Sequence, residues 1–181
     1  MALLGPLIIG TQFFRGLEKT GYFHQHITTL NQEWIFYSVF MVITTFLAFL
    51  FVRIAGNVVF DAAKTASRER SNLMGYSFVP LIVGFELGFH FERLINLGGR
   101  LLPILGGYFG FDWDFLIVSM GPGLVKVHQI VFILVGVFAS RAVLKNILRL
   151  HEDSSKLRLS FRHQWPILLL AATYIHLFWA G

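Results

Sequence analysis

Long apolar runs without charged residues are the feature that most constrains how this chain can fold. The first extends from Trp34 to Val52 and contains no Asp, Glu, Lys or Arg. About 20 apolar residues are needed to cross the roughly 30 Å of hydrocarbon in a bilayer. With 55% hydrophobic residues and 20 phenylalanines, the chain is expected to present a surface that faces lipid rather than water. The pattern therefore predicts an integral membrane protein.

Four such spans fit within 181 residues and leave room only for short loops. Their predicted bounds are about 34–52, 73–97, 124–147 and 164–180. The segment from Met1 to Phe14 is apolar, but it is interrupted by glycine and proline and is too short to cross alone, so we expect a partial helix at the interface. The predicted fold class is all-α, an integral membrane four-helix bundle with a short interfacial N-terminal segment, forming a single transmembrane domain over residues 1–181.

The segments that connect the predicted spans differ from one another in composition. Ala55–Ser71 mixes charged and apolar residues, which predicts an amphipathic extension along the membrane surface. Gly98–Asp114 is rich in glycine and aromatic residues, which predicts a loop or a re-entrant turn. Phe115–Met120 is apolar but is followed by Gly121-Pro122-Gly123, so we expect an interfacial lead-in to the third span.

The distribution of basic residues predicts the orientation of the chain. Ten lie on one side of the predicted spans: Arg53, Lys64, Arg68, Arg70, Arg141, Lys145, Arg149, Lys156, Arg158 and Arg162. Five lie on the other: Arg15, Lys19, Arg93, Arg100 and Lys126. The positive-inside rule assigns the richer side to the cytoplasm. We therefore expect a multi-pass protein of a bacterial inner membrane with both termini in the periplasm. The net charge of +5 follows from this topology, so nucleic-acid binding is not predicted.

Three histidines are the main candidates for function. His90, His128 and His176 each lie near the outward end of a predicted span, so they share one depth in the membrane. A titratable side chain inside a bilayer is costly and is by default a hypothesis about function. A shared depth is a precondition for a shared site, although it does not prove that the rings meet in the plane of the membrane. His24 and His26 are more simply explained as solvated loop residues.

The second predicted span carries a chemical face and a packing face. Glu86, His90 and Arg93 are spaced at i, i+4 and i+7, which places them on one side of a helix, while Gly84 and Gly88 lie on roughly the opposite side. The carboxylate could set the imidazole tautomer, accept a proton or join the imidazole as a metal ligand. Arg93 could neutralise an anionic group such as a haem propionate.

Each candidate also has a purely structural explanation. Glu86 could pair with a donor on a neighbouring helix. His128 follows Lys126 closely and could be an ordinary interfacial residue. His176 precedes Phe178-Trp179, a pair typical of the aromatic belt at a membrane surface.

The run from Tyr76 to Leu94, YSFVPLIVGFELGFHFERL, resembles a helix with the pattern F-x-P-L-x-x-G-Y-H-x-x-H. That helix belongs to the C-terminal membrane part of bacterial polyferredoxin-type (4Fe-4S) membrane proteins, relatives of the accessory membrane proteins of nitrous oxide reductase and periplasmic nitrate reductase. A later pattern also looks similar in order and spacing: Val127–Gln129 with Arg141-Ala142, then Gln164–Leu168 and Tyr174–Trp179. The resemblance therefore covers about residues 73–180. Phe85-Glu86 stand where the family has Tyr-His, and the cysteine-rich iron–sulfur module is absent. The resemblance implies membership in a quinone-linked electron-transfer assembly.

Three functions are compatible with these residues. The first is a membrane subunit of a respiratory or other redox complex that holds b-type haem through two of His90, His128 and His176, with Glu86 near a quinol proton-exit route. The second is a copper or non-haem iron site built from the same histidines with Glu86 or Glu92. The third is a cofactor-free membrane anchor or assembly subunit. All three imply lipid and other subunits as partners. The absence of cysteine excludes thiolate ligands and covalent haem attachment through CxxCH.

Overall fold

The computed structural model describes residues 4–19, 30–61, 65–113, 120–152 and 159–180. These residues form α1 (Leu4–Lys19), α2 (Leu30–Val59), α3 (Ser67–Gly98), α4 (Leu101–Tyr108), α5 (Pro122–Glu152) and α6 (Phe161–Ala180). No strand occurs among the described residues, and the predicted all-α class is confirmed. Helices suit a bilayer because each satisfies its own backbone polar groups where no water is present.

Three of the helices are long and apolar enough to cross a membrane. These are Ile35–Val59 of α2, Ser67–Ile95 of α3 and Pro122–His151 of α5. The first three predicted spans lie within α2, α3 and α5, and these helices extend beyond them by up to two turns. In α3 half of the most apolar stretch is buried against other helices, whereas in α2 only 17% is buried. The chain is thus a membrane protein in which α3 is central, while the apolar stretch of α2 lies mostly on the outside of the bundle.

The helices alternate in direction around α3. At one end, Arg162 of α6 donates to the carbonyl of Val58 in α2, and His151 of α5 lies 3.7 Å from Glu69 of α3. We call this the basic end. At the other end, which holds His90, His128 and His176 and is called the histidine end, Lys126 of α5 donates to the carbonyl of Trp179 in α6. Helices α1, α3 and α6 therefore run towards the histidine end, and α2 and α5 run towards the basic end.

Glycines bring α3 and α5 into close contact. A Cβ atom added to Gly84 would lie 2.5 Å from the carbonyl oxygen of Phe132, and one added to Gly136 would lie 2.9 Å from the Cα of Leu81. Gly88, one turn further along α3, faces the Cα of Gln129 in the same way. The small-residue face predicted for this helix is therefore the surface on which α5 packs.

A proline inside α3 is compensated by α5. Pro80 cannot donate a backbone hydrogen bond, and its ring displaces the helical turn before it. The amide of Leu81, the next residue, donates to the hydroxyl oxygen of Ser140 at 3.1 Å, and Ser140 is fully buried. A side chain from a neighbouring helix thus satisfies a backbone group that the bilayer could not.

Helix α1 differs from the predicted interfacial segment. It packs against the middle of α2, where Gly10 lies against the backbone of Thr45. A Cβ atom added to Gly10 would lie only 2.6 Å from the Cα of Thr45. It also packs on α3 and α6, where Gly5 faces Gly75 and Gly16 faces Leu177. Since α1 runs parallel to α3 and starts beside Gly75, its first residues lie in the basic half of the bundle. The sequence predicts both termini on the histidine side, whereas α1 begins in the basic half; the periplasmic placement of the termini stays a prediction.

Two connecting segments also differ from their predictions. Within Gly98–Asp114, residues 101–108 form the short helix α4, and the chain then turns through Gly110 at φ +75° with the amide of Phe111 bonded to the carbonyl of Gly106 at 2.8 Å. Ala55–Ser71 is mostly the end of α2 and the start of α3. Of the predicted interfacial lead-in, residues 115–119 lie outside the described part of the chain.

Candidate functional site

A hydrogen-bonded series of polar side chains joins α1, α3 and α6 inside the bundle. The hydroxyl of Tyr174 donates to Oε1 of Gln12 at 2.6 Å. The amide nitrogen of Gln12 donates to Oε1 of Glu86 and to the carbonyl of Ile82, each at 3.1 Å. Neither Gln12 nor Tyr174 is exposed at all. The glutamine amide therefore uses both its acceptor and its donors, and it connects a buried phenol to a carboxylate.

The carboxylate of Glu86 is the open end of this series. Its second oxygen, Oε2, lies 3.3 Å from Nε2 of His90 and 3.7 Å from the guanidinium of Arg15. The side chain of Glu86 is 32% exposed and that of His90 is 55% exposed. Carboxylate and imidazole both gain and lose protons readily, so this pair has the chemistry of a proton acceptor and donor at the edge of the bundle.

Aromatic rings close the inner side of the site. Phe85 is buried, and its ring lies 4.3 Å from that of Tyr174 and 4.9 Å from that of Phe178. On the outer side, the ring of Phe89 meets the imidazole of His90 edge-on at 5.4 Å, and the guanidinium of Arg93 lies over the same Phe89 ring at 5.7 Å. Water is thus excluded from the tyrosine end while the histidine end stays accessible.

His128 lies on a different side of α3 from His90. Its ring stacks on Phe91 at 5.2 Å with an interplanar angle of 15°, and its Nδ1 donates to the carbonyl of Leu124 at 2.8 Å. At 3.6 residues per turn, Phe91 is roughly 140° around α3 from Glu86, on the face that packs against α5. The Glu86 face instead meets α1. Helix α3 therefore stands between the two imidazoles.

His176 points away from both of the other histidines. It follows the buried Tyr174 by two positions, which places it on nearly the opposite side of α6, and it is exposed. The level of the three histidines along the bundle is similar, because Gly88 of α3 contacts both Phe178 of α6 and Gln129 of α5. The rings thus share a depth but face three different directions.

The described residues contain no group of three or more His, Asp, Glu or Cys side chains placed to hold a metal ion. His24 and His26 lie outside the described part of the chain, as does the side chain of Glu92. Of the predicted site residues, the structure joins Glu86 and His90 directly and places Arg93 beside them across Phe89. It does not bring His128 or His176 to this group.

Sequence reasoning did not identify Gln12, Arg15 and Tyr174 as members of the site. A glutamine within the apolar Leu3–Phe14 run was the available signal, because a buried amide needs partners. Tyr174 had no comparable signal, since tyrosine is ordinary near a membrane surface. Comparisons of this chain with protein families, with curated proteins and with solved structures find no match.

Proposed function

We propose that this chain is a membrane subunit of a respiratory or other redox complex, and that Glu86 and His90 exchange protons with a quinol at its histidine end. The observation that carries the proposal is the hydrogen-bonded series from Tyr174 through Gln12 to Glu86, which ends on an accessible imidazole. The resemblance of residues 73–180 to the membrane part of polyferredoxin-type proteins supports the same assignment.

The proposed topology has four spans, with α6 as the fourth. Its 20 residues extend about 30 Å, which is enough to cross the hydrocarbon. It runs parallel to α3 and antiparallel to α5, as a span following α5 must. The basic end, with Arg68, Arg70, Arg149 and Arg162, faces the cytoplasm under the positive-inside rule. The histidine end then faces the periplasm of a bacterial inner membrane. The other subunits of the complex contact the outer surface of the helix bundle.

The chemistry of the site follows from its two accessible groups. Oxidation of a quinol releases protons as well as electrons, and a carboxylate within 3.3 Å of an imidazole can take a proton and pass it outward. Arg15 lies 3.7 Å from the same carboxylate and can pair with it. Gln12 fixes the other carboxylate oxygen, so the acceptor keeps one orientation. Electrons pass to a cofactor held by a partner subunit.

The residues present do not fit haem held between two of the three histidines. His128 stacks on Phe91 on the α5 side of α3, whereas His90 faces α1 and His176 faces outward. Haem b, copper and non-haem iron therefore remain predictions from the sequence. A reduced-minus-oxidised optical spectrum and metal analysis of the intact complex would detect each of them.

The proposal is tested with a matched pair of carboxylate variants. In the intact complex, Glu86→Gln is expected to lower quinol turnover by roughly 100-fold or more, the usual effect of losing a proton-transfer group. Glu69→Gln is the control, because Glu69 also lies beside a histidine, His151 at 3.7 Å, but at the basic end. Equal turnover in both variants, with both complexes assembled, would refute the proton-exchange role.

A cofactor-free anchor is the second candidate function. It is favoured by the way the Gln12 series ties α1, α3 and α6 together, since a purely structural network would do the same. For an anchor, Glu86→Gln reduces the amount of assembled complex but leaves the turnover of each assembled complex unchanged. Turnover per assembled complex therefore separates the two functions.

A further inference from the structure

The side-chain amide of Gln12 is held in one orientation by the groups around it. A carbonyl oxygen can only accept, so the backbone carbonyl of Ile82, 3.1 Å away, requires the amide nitrogen on its side. The hydroxyl of Tyr174 donates to the amide oxygen at 2.6 Å. Neither Gln12 nor Tyr174 is exposed, so water does not replace either partner. Turning the amide by half a rotation would set two acceptor oxygens against each other in a buried place.

This orientation decides which oxygen of Glu86 can carry a proton. The amide nitrogen of Gln12 also donates to Oε1 of Glu86 at 3.1 Å. A protonated Oε1 would itself have to donate, and it would meet another donor there. Oε2 instead lies 3.3 Å from Nε2 of His90 and 3.7 Å from the guanidinium of Arg15. Neither distance is a short hydrogen bond, so a proton has room on Oε2.

The two sides of Glu86 differ in their access to water and to exchangeable protons. On the outer side, the side chain of His90 is 55% exposed and that of Arg15 is 50% exposed. On the inner side, the amide of Gln12 separates the carboxylate from the buried phenol. A carboxamide donates and accepts hydrogen bonds but does not titrate in water, so it bonds to both neighbours and passes no proton between them. Among the described residues, the charged and titratable groups around Glu86 are Arg15 of α1, His90 and Arg93 of α3, and Tyr174 of α6.

We propose that Gln12 is a positioning residue that confines the proton of Glu86 to Oε2 and isolates Tyr174 from it. The inference rests on the proposed function, in which Glu86 takes up a proton released by quinol. That proton bonds to Oε2 and leaves from Oε2 to Nε2 of His90 or to water, while no O–H or N–H bond on the Tyr174 side breaks. Protons released at the histidine end therefore leave at the histidine end and do not enter the bundle.

The first test follows hydrogen exchange at the hydroxyl of Tyr174. The intact complex is reconstituted in lipid with the tyrosines of this chain labelled with ¹³C at Cζ, and solid-state NMR spectra are recorded in a mixture of H₂O and D₂O. Slow exchange gives separate signals for the protonated and deuterated phenol, and Tyr174→Phe identifies them. The unmodified chain is expected to show both signals. Gln12→Glu puts a group that can pass a proton in place of the amide, and exchange should accelerate by about tenfold or more.

Gln129→Glu is the matched control. It makes the same chemical change at a second buried glutamine, which is 4% exposed and lies on α5. The hydrogen bonds that join Tyr174, Gln12 and Glu86 do not include it. Tyr174 should keep its separate signals in this variant. Rapid exchange in the unmodified chain would overturn the proposal, and so would equal exchange rates in Gln12→Glu and Gln129→Glu.

A second measurement uses the unmodified chain and so does not depend on the folding of a variant. With glutamine side chains labelled with ¹⁵N, the Gln12 amide is identified by its proximity to the labelled ring of Tyr174. The complex is acidified until Glu86 is protonated, which its infrared carboxyl band reports, and that band is assigned by its loss in Glu86→Gln. The N–H that bonds to Ile82 is expected to keep its chemical shift. Loss of that bond on acidification would show that the amide turns, and would contradict the proposal.

The outcome is separable from the redox proposal. Turnover of Glu86→Gln tests the proton exchange with quinol, whereas both NMR measurements require no turnover. Full turnover in Glu86→Gln together with slow, Gln12-dependent exchange at Tyr174 would refute the redox role and leave the confinement of the proton supported. Rapid exchange at Tyr174 with turnover lost in Glu86→Gln would refute the confinement alone.

Discussion

Tyr174 donates its hydroxyl to the side-chain carbonyl of Gln12 across 2.6 Å, at a point where neither residue is exposed. The bond joins α6 to α1 and aligns the glutamine amide towards Glu86 on α3. Gln12 and Tyr174 are 162 positions apart in the sequence. The glutamine side chain of α1, the shortest of these three helices, therefore links α6 to α3. The stability of α1 in the bundle is expected to depend on it.

Tyr174→Phe should lower the free energy of unfolding by about 1–3 kcal/mol, because the Gln12 oxygen would stay buried without a donor. Reversible unfolding in mixed detergent measures the change. Tyr108→Phe is the control, since Tyr108 on α4 is 84% exposed. Removal of its hydroxyl should change the free energy of unfolding by no more than about 0.5 kcal/mol. Similar losses in both variants would mean that the buried bond contributes nothing specific.

Two glycines of α3 are expected to respond in opposite directions to alanine. Gly84→Ala should destabilise the protein by about 1–3 kcal/mol, because the new Cβ would lie 2.5 Å from the carbonyl oxygen of Phe132. Gly75→Ala meets no atom within 4 Å and should be neutral or stabilising by up to about 1 kcal/mol through helix propensity. Thermal unfolding of both variants provides the comparison. A stable Gly84→Ala variant would show that α3 and α5 are not in close contact.

Ser140→Ala should destabilise the bundle by about 1 kcal/mol, because the amide of Leu81 would lose its acceptor in a helix interrupted by Pro80. A double-mutant cycle with Pro80→Ala measures the energetic coupling between Pro80 and the hydroxyl of Ser140. When residue 80 can complete the helix, the amide of Leu81 regains an acceptor within α3 and the loss on Ser140→Ala should shrink. Ser38→Ala, on the exposed surface of α2, is the control. Additive effects of the two substitutions would refute the compensation.

Disulfide cross-linking can test the position of α1, because the chain has no cysteine of its own. A Cβ on Gly5 would lie 3.7 Å from the Cα of Gly75, so the pair Gly5→Cys and Gly75→Cys should cross-link on oxidation. The pair Gly5→Cys and Gly88→Cys should not, since 13 residues of helix separate Gly88 from Gly75 by about 20 Å. The mobility of each oxidised variant on a denaturing gel, compared with its reduced form, shows whether the pair has cross-linked. The reverse result would indicate that α1 lies at the interface or runs the other way.

Local features of this chain could be predicted from its residues alone. The apolar runs between charged segments determined the long helices and their approximate bounds, because a bilayer demands continuous apolar surface and internal hydrogen bonds. The pairing of Glu86 with His90 was also predictable, since four positions along one helix always bring two side chains together. The same periodicity placed Gly84 and Gly88 on the face that α5 approaches.

The tertiary structure decided which residues meet between helices. Depth in the membrane follows from sequence, but the direction in which a side chain faces depends on how each helix is rotated against its neighbours. For that reason His90, His128 and His176 lie at one level and still point apart. Gln12 became central only because α1, held by close glycine contacts, inserts beside α3 and α6. Rotation and insertion are set by packing between segments far apart in the chain, which no local pattern of residues specifies.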